Sequence, residues 1–296
     1  MGYLIGIDCG ATGTDIILYD IDTGASKTVR QAAVNYNLLG LEDTVKKLSA
    51  IIKKSAGSKL KNTDYIIAGI SGAGNKNVKK NIKSKLKKAL NFKNIEIYPD
   101  TEIAFSASFG SDEVNCGILI AGTGSVLYYK NGKGVITKIG GWGRHIGDEG
   151  SGYWIAKSAL HKMTQYYDGR LPESALAGRL NKDLKINRDT IVQNIYHNNF
   201  EISRVTKLVF ECAESGDRVC SLIIKDSAEA LLKHFIPLKK EKGVIALCGS
   251  LFSKEELLEK YLRKLVKQNY PGIKLVKPEL PPVWGAIRLG ISRLRV

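Results

Sequence analysis

Over the first 35 residues the apolar positions come in short runs separated by small, polar turns. Tyr3-Leu4-Ile5-Gly6-Ile7 ends at Asp8, a turn occupies residues 9–14, Ile16-Ile17-Leu18-Tyr19 follows, and Asp22-Thr23-Gly24 leads into a third run at 27–34. Runs of this length between Gly-containing turns predict a meander of antiparallel strands. The period then lengthens. Leu41, Val45, Leu48, Ile51 and Ile52 recur at helical spacing as far as Gly57, which predicts an amphipathic helix over 41–56 with a glycine at its end. Residues 64–70 predict a buried strand and 71–74 a loop. Residues 76–93 predict a helix whose inner face is Val78, Ile82, Leu86, Ala89 and Leu90, with lysines over the rest. A short strand at 95–98 and a helix at 101–109 complete this half.

The pattern then restarts. A strand at 116–121, a small-residue turn at 122–125, a strand at 126–129, a turn at 131–134 and a strand at 135–139 repeat the opening about 110 residues later. Such self-similarity predicts two domains of related architecture. The chain is then mostly helical to about Leu238. A buried strand at 244–247 runs into Cys248-Gly249-Ser250, and Ser253 is the expected N-cap of a helix from Lys254, with Glu256 completing a capping box. Pro281-Pro282 precedes a last helix at 283–294.

With 296 residues, 44% of them hydrophobic, the chain has enough apolar material for two cores. No run of 18 apolar residues suggests a membrane span, and the N-terminus has no leader pattern. The five cysteines form no C-x-x-C pair, which argues against a disulfide framework or zinc site and fits a cytoplasmic protein, and without an apolar span no membrane is expected among its partners. The net charge of +16 is densest at 76–93. That patch has no interleaved aromatics and no nucleic-acid motif accompanies it, so it reads as a solvated face and no nucleic-acid partner is expected.

The candidate chemistry centres on residues 140–153, Gly-Gly-Trp-Gly-Arg-His-Ile-Gly-Asp-Glu-Gly-Ser-Gly-Tyr, with six glycines and an adjacent acidic pair. A glycine loop feeding a helix N-terminus is a natural site for an anion or polar ligand, because free N–H groups point into it. Two further small-residue turns, at 8–14 and 122–125, expose N–H groups and hydroxyls suited to phosphate oxygens. Asp8 stands at a strand end where a carboxylate could hold Mg²⁺, directly or through water. There is no Walker A sequence, so this is not a P-loop protein.

Asp8-Cys9-Gly10-Ala11-Thr12-Gly13-Thr14 resembles the first phosphate motif of the actin-like ATPase superfamily, which includes sugar kinases, actin and heat-shock chaperones. Ala121-Gly122-Thr123-Gly124-Ser125 resembles its second phosphate motif, and Ala246-Leu247-Cys248-Gly249-Ser250 its adenosine motif. Within that superfamily, Gly140-Gly141-Trp142-Gly143 with Gly147-Asp148-Glu149-Gly150-Ser151 is similar to the N-acetylglucosamine kinase branch, also called the BadF/BadG ATPase family. The order and spacing span nearly the whole chain.

The resemblance implies an α/β fold of two actin-like (ribonuclease H-like) domains flanking a nucleotide and sugar cleft. The first covers 1–108 and is completed by the C-terminal helix 283–296; the second covers 109–282. It implies ATP and Mg²⁺ as cofactors and a small-molecule sugar as substrate, an amino sugar or hexose such as N-acetylglucosamine, glucosamine or glucose. By the same resemblance Asp100 is the general base, although an Asp there could also simply cap its helix. Asn35, Asp100, Gly141, Trp142 and Asp148 bind the sugar. Gly10, Thr12, Gly122, Thr123, Gly124, Gly249 and Ser250 bind the nucleotide, and Asp8 the metal. Cys9 and Ala11 stand where relatives often have glycine.

One alternative is an ATPase that activates a partner enzyme through an iron–sulfur cluster between two subunits. Such relatives need clustered mid-chain cysteines, which Cys116, Cys212 and Cys220 do not form. A non-enzymatic binder rests on the charge alone. Which sugar is used, and whether the chain forms a homodimer, are left open.

Overall fold

Two five-stranded sheets carry the chain in a computed structural model that describes residues 2–10, 13–110, 112–197 and 200–294. They lie in separate compact units. One comprises Met1–Glu113 with Pro278–Val296, the other Val114–Lys277.

The first unit contains β1 (Tyr3–Cys9), β2 (Thr14–Asp20), β3 (Ser26–Gln31), α1 (Tyr36–Ala56), β4 (Thr63–Ile70), α2 (Lys76–Leu90), β5 (Ile95–Pro99) and α3 (Asp100–Ser108). Its sheet runs β3-β2-β1-β4-β5. The meander supplies the antiparallel pairs, and β4 and β5 add parallel to β1. Because β1 is central, both of its faces are covered, so it reads as a continuous apolar run. Ile5, Ile7 and Cys9 pack with Val45, Leu48 and Ile52 of α1 and Ile82 and Leu86 of α2. On the other face Leu4 meets Val283 and Ile287 of the last helix, and Ile67 of β4 meets Ile103 of α3 and Ala286.

Two local features depart from the sequence expectation. Helix α1 begins five residues early: Asn35 caps it, its Oδ1 accepting from the Asn37 N–H at 3.0 Å, and Gly40 at φ 69° interrupts it with a kink. Ala89 is exposed rather than on the inner face of α2, which is lined by Ile82, Leu86 and Leu90.

The second unit contains β6 (Cys116–Ala121), β7 (Ser125–Lys130), β8 (Ile136–Gly140), α4 (Gly152–Tyr167), α5 (Ala175–Leu184), α6 (Ile191–Tyr196), α7 (Arg204–Glu214), α8 (Arg218–Leu232), β9 (Gly243–Cys248), α9 (Ser250–Lys254), α10 (Glu256–Asn269) and β10 (Ile273–Val276). The sheet order β10-β9-β6-β7-β8 repeats the first unit strand for strand, with the same parallel and antiparallel pairs. One extended core joins β6, β7 and β9 to helices α4 to α8 and α10.

The expected capping box is absent. Ser253 lies inside α9, and α10 starts at Glu256 after Glu255 with no side-chain cap. The turn is made earlier, at Gly249 (φ 99°), so a helix nucleates directly at the end of β9. Glu256 and Glu259 then supply negative charge to the first turn of α10.

The chain returns to the first unit in α11 (Val283–Leu294), which packs on β1, β4 and α3. Gly285 makes the crossing close, since a Cβ there would strike the Ile103 carbonyl oxygen of α3. Arg288 Nη1 donates to the Ser106 and Ala107 carbonyls at 3.1 and 3.0 Å, satisfying the end of α3. All five cysteines are buried and none is in a disulfide. Among the described residues no helix is long and apolar enough to cross a membrane.

Candidate active site

In the first unit the parallel strands end together, since Cys9 pairs with Ile70 and Ile70 with Pro99. That register sets Asp8, Ser71 and Asp100 at one edge of the sheet. Gly69, opposite Asp8, lets the start of α3 lie directly on β4: an added Cβ would press on Ile103 and stand 3.4 Å from the Asp100 Cα. Ser71 ties the edge together. Its N–H donates to the Cys9 carbonyl at 3.0 Å and its carbonyl accepts from the Tyr36 N–H at 3.1 Å. It also forms a bridge with Asn35, and its side chain favours the ionised form of the Asp100 carboxylate. Sequence reasoning missed Ser71, whose role comes from the pairing of β1 with β4.

Asp100 is the first residue of α3, and its Oδ1 accepts from the Thr101 N–H at 2.9 Å. The N-cap is Pro99, without a side-chain cap, so Asp100 satisfies only the neighbouring Thr101 N–H while its carboxylate remains at the strand edge. Burial raises its pKa, opposed by the Thr101 N–H and the Ser71 side chain. Asp8 is pushed up to about 7, first by burial and then by the charges of Asp100 and Asp15, with Arg30 acting in the opposite sense. Arg30 pairs with Asp15 at 3.1 Å, and its guanidinium lies over Gly13. The turn between β1 and β2 is closed by the Gly10 N–H donating to the Gly13 carbonyl at 2.9 Å. Thr12 lies outside the described residues.

The Mg²⁺ expected at Asp8 meets a suitable donor set. Among the described residues no group of three or more His, Cys, Asp or Glu forms a protein cage for a metal. Mg²⁺ does not need one, because it keeps several waters and binds through one or two carboxylates plus substrate phosphates. An acid whose ionised form is disfavoured by neighbouring carboxylates gains from a cation beside it.

In the second unit the turn between β6 and β7 is closed by the Gly122 N–H donating to the Gly124 carbonyl at 2.9 Å. It rests on the start of α4, where the Gly152 N–H donates to the Gly122 carbonyl at 2.7 Å and the Tyr153 N–H to the Thr123 carbonyl at 3.3 Å. Ser151 caps the helix by accepting from the Trp154 N–H at 3.2 Å. The helix N-terminus is therefore not the open anion site that the glycine loop suggested: its donors hold the phosphate-type turn in place. The adenosine-type turn adjoins it, because Gly249 lies against the Ala121 carbonyl and the Ser250 hydroxyl faces Gly122.

The glycine-rich loop is anchored from below. Asp148, at φ 58°, accepts from the Gly143 N–H at 3.3 Å, and its carboxylate packs against Gly124. Burial raises its pKa, opposed by the N–H groups of Gly143 and Ser125. The Ser125 hydroxyl donates to the Glu149 carbonyl at 2.7 Å and the Ser227 hydroxyl to that of Gly150 at 2.8 Å. Above these ties Gly141 (φ 67°) and Gly143 (φ 94°) present Trp142, 73% exposed, with Lys138 Nζ 5.6 Å from its ring. His234, which sequence reasoning did not single out, is buried with its imidazole against Gly140, and burial lowers its pKa.

Thus Asp8, Gly10, Asn35 and Asp100 gather in one unit. Gly122, Thr123, Gly124, Asp148, Gly249 and Ser250 gather in the other, with Gly141 and Trp142 on the loop above them.

Known proteins match the chain over nearly their full length. The chain is 28% identical to an N-acetylmuramic acid/N-acetylglucosamine kinase from Clostridium acetobutylicum, covering 99% of each chain. It is 27% identical to an N-acetyl-D-glucosamine kinase from Dictyostelium discoideum, covering 97% of each. A solved structure from Chromobacterium violaceum, provisionally assigned as an N-acetylglucosamine kinase, superposes with a TM-score of 0.76 at 23% identity, over 97% of this chain and 98% of its own. The fold is that of actin-like sugar kinases. The family match runs over residues 5–290, and on it the chain belongs to the BadF/BadG/BcrA/BcrD ATPase family.

Proposed function

We propose that this enzyme is an ATP-dependent sugar kinase that phosphorylates a hydroxyl of an amino sugar, N-acetylglucosamine foremost, with Asp100 as general base. The observation that carries this reading is the Asp100 carboxylate itself. It stands half-buried at the strand edge beside Asp8, with its pKa raised chiefly by desolvation and its Oδ1 held by the Thr101 N–H. Phosphoryl transfer asks the protein mainly for positioning and charge neutralisation. Asp100 accepts the proton of the attacking hydroxyl, while the Thr101 N–H fixes the orientation of its carboxylate. Asn35, Asp148 and the loop bearing Gly141 and Trp142 bind the remaining sugar groups. The two glycine turns, with Thr12 and Thr123, offer N–H groups and hydroxyls to phosphate oxygens, and Gly249 and Ser250 receive the adenosine. Asp8 would hold Mg²⁺, which when bound would supply charge neutralisation for the transfer. The names of the kinases from Clostridium and Dictyostelium support the substrate class. The setting we propose is the cytoplasm.

The test combines two measurements on one preparation. ADP release is followed with N-acetylglucosamine, N-acetylmuramic acid, glucosamine, glucose and mannose, and sugar-dependent release is expected with at least one amino sugar. Asp100→Asn keeps size and an oxygen for the Thr101 N–H but cannot take the proton, so turnover is expected to fall by about 10²-fold or more. Calorimetric sugar binding should change little. An active Asn variant removes Asp100 from the mechanism, and ADP release indifferent to every sugar removes the kinase reading.

A further inference from the structure

Residues 41–93 contain fourteen lysines, no arginine and three acids, and so carry eleven of the chain's sixteen net positive charges. The fold spreads them over one layer. Helices α1 and α2 pack side by side on the same face of the first sheet, their apolar stripes buried against β1 and β4. Lys46, Lys47, Lys53, Lys54, Lys80 and Lys88 are exposed on them.

Both helices start at the strand ends that carry Asp8 and Ser71, α1 through its bridge at Asn35 and α2 directly after β4. Both finish at the opposite end of the sheet. There the segments entering β4 and β5 meet, the Ile66 N–H donating to the Asn94 carbonyl at 2.9 Å and Asn94 Nδ2 to the Asp64 carbonyl at 2.9 Å. Lys59, Lys61 and Lys93, all exposed, join the helix ends at this pole. The acids that face the layer are few. Glu42 pairs with Lys85, Glu96 pairs with Lys83 at 2.8 Å, and Glu102 of α3 feels Lys79. Asp43 and Asp64 complete the acids of this segment, and Asp20 at the end of β2 lies near Lys59 at the pole.

We propose that this lysine layer adsorbs the enzyme to an anionic phospholipid surface, with the strand edge bearing Asp8 and Asp100 directed away from it. The composition selects this partner over a nucleic acid. Arginine reads phosphate through a planar, bidentate fork and stacks on bases, whereas lysine is a hydrated point charge on a flexible stem. All eleven arginines of the chain lie outside this segment. The layer offers no exposed aromatic among its described residues. Its one exposed large apolar side chain, Leu38, lies at the far end, beside Asn35. Scattered, mobile ammonium groups over a smooth helical face suit a fluid array of headgroups that can rearrange to meet them. Attachment is then electrostatic and without insertion, so it weakens with salt.

The test is cosedimentation with vesicles of phosphatidylcholine, alone or mixed with phosphatidylglycerol, at low and high salt. The native protein is expected on the anionic vesicles at low salt only. Changing Lys53, Lys54, Lys61 and Lys88 together to Glu is expected to weaken vesicle binding by at least about 100-fold, since each lysine near such a surface is worth about fivefold. Changing Lys182, Lys225, Lys239 and Lys240 of the second unit to Glu alters the net charge equally and is expected to leave most of the binding. Sugar-dependent ADP release without vesicles serves as the folding control, and Gln replaces Glu if the first variant loses it. No affinity for anionic vesicles, or equal loss in both variants, overturns the proposal. So does duplex DNA or RNA that displaces vesicles from this face at equal phosphate concentration, which makes nucleic acid the occupant.

Discussion

Asp8→Asn is expected to stabilise the metal-free protein above neutral pH while removing its ability to turn over ATP. Asp8 rises from 3.8 to about 7 on folding, chiefly through burial. The sign follows from proton counting. Between pH 4 and 7 the unfolded chain has released the Asp8 proton and the folded chain retains it, so stability falls as pH rises through that window and levels off above 7. The full penalty corresponds to about 4 kcal/mol at most, and relaxation around the ion brings the expectation to about 2 kcal/mol. An amide cannot ionise and escapes it. Urea unfolding in EDTA at pH 4.5, 6 and 8 reads the effect as the variant's stability minus that of the native protein. This difference should grow by about 2 kcal/mol across the range, with most of the change complete by pH 7. Carboxylate carbon NMR of the metal-free protein should show a titration near pH 7 that is absent in the variant. A difference that stays constant or shrinks with pH refutes the argument, because burial would then not be raising the Asp8 pKa on folding.

Three further outcomes are expected. Gly285→Ala forces a methyl onto the Ile103 carbonyl and should cost about 1–3 kcal/mol by urea unfolding. A cost below about 0.5 kcal/mol would mean that α11 and α3 shift apart freely. Gly124→Ala places a methyl 2.7 Å from Asp148 Oδ2, so the KM for sugar and that for ATP should both rise, because one carboxylate braces both turns. A change in only one of them separates the turns. Thr123→Val should keep the melting temperature while raising the KM for ATP by about tenfold or more, the value of one hydrogen bond to a charged group; unchanged ATP kinetics dismiss the hydroxyl.

Much of this architecture was legible because short strands and helices leave different spacings. The repeat of strand, glycine turn and strand at 3–20 and 116–130 foretold two sheets of one topology, and the structure gives them the same strand order. β10 escaped notice because its four residues are too short to establish an alternation. The Ser253 capping signal misled because Gly249 at φ 99° had already turned the chain, and such a dihedral leaves no local mark beyond the glycine itself. Asp100 was legible as an acid at the start of a helix, but the cap itself falls on Pro99. Ser71 was not legible, because its role comes from the pairing of β1 with β4 some 60 residues apart, which no local pattern encodes. The start of α4 misled for a related reason: its N–H groups are claimed by Gly122 and Thr123, thirty residues upstream.

The distribution of the five buried thiols makes each unit countable. Cys9 is alone in the first unit, while Cys116, Cys212, Cys220 and Cys248 lie in the second. A thiol reagent reaches none of them until the surrounding core opens, so labelling measures opening and not surface chemistry. In a mass spectrum, one adduct on a chain marks excursions of the first unit and four adducts mark those of the second. Because stoichiometry identifies which half has opened, a single native-state labelling experiment can rank the two halves in stability without mutating either. Repeated with a saturating ligand, it reports which half the ligand holds shut.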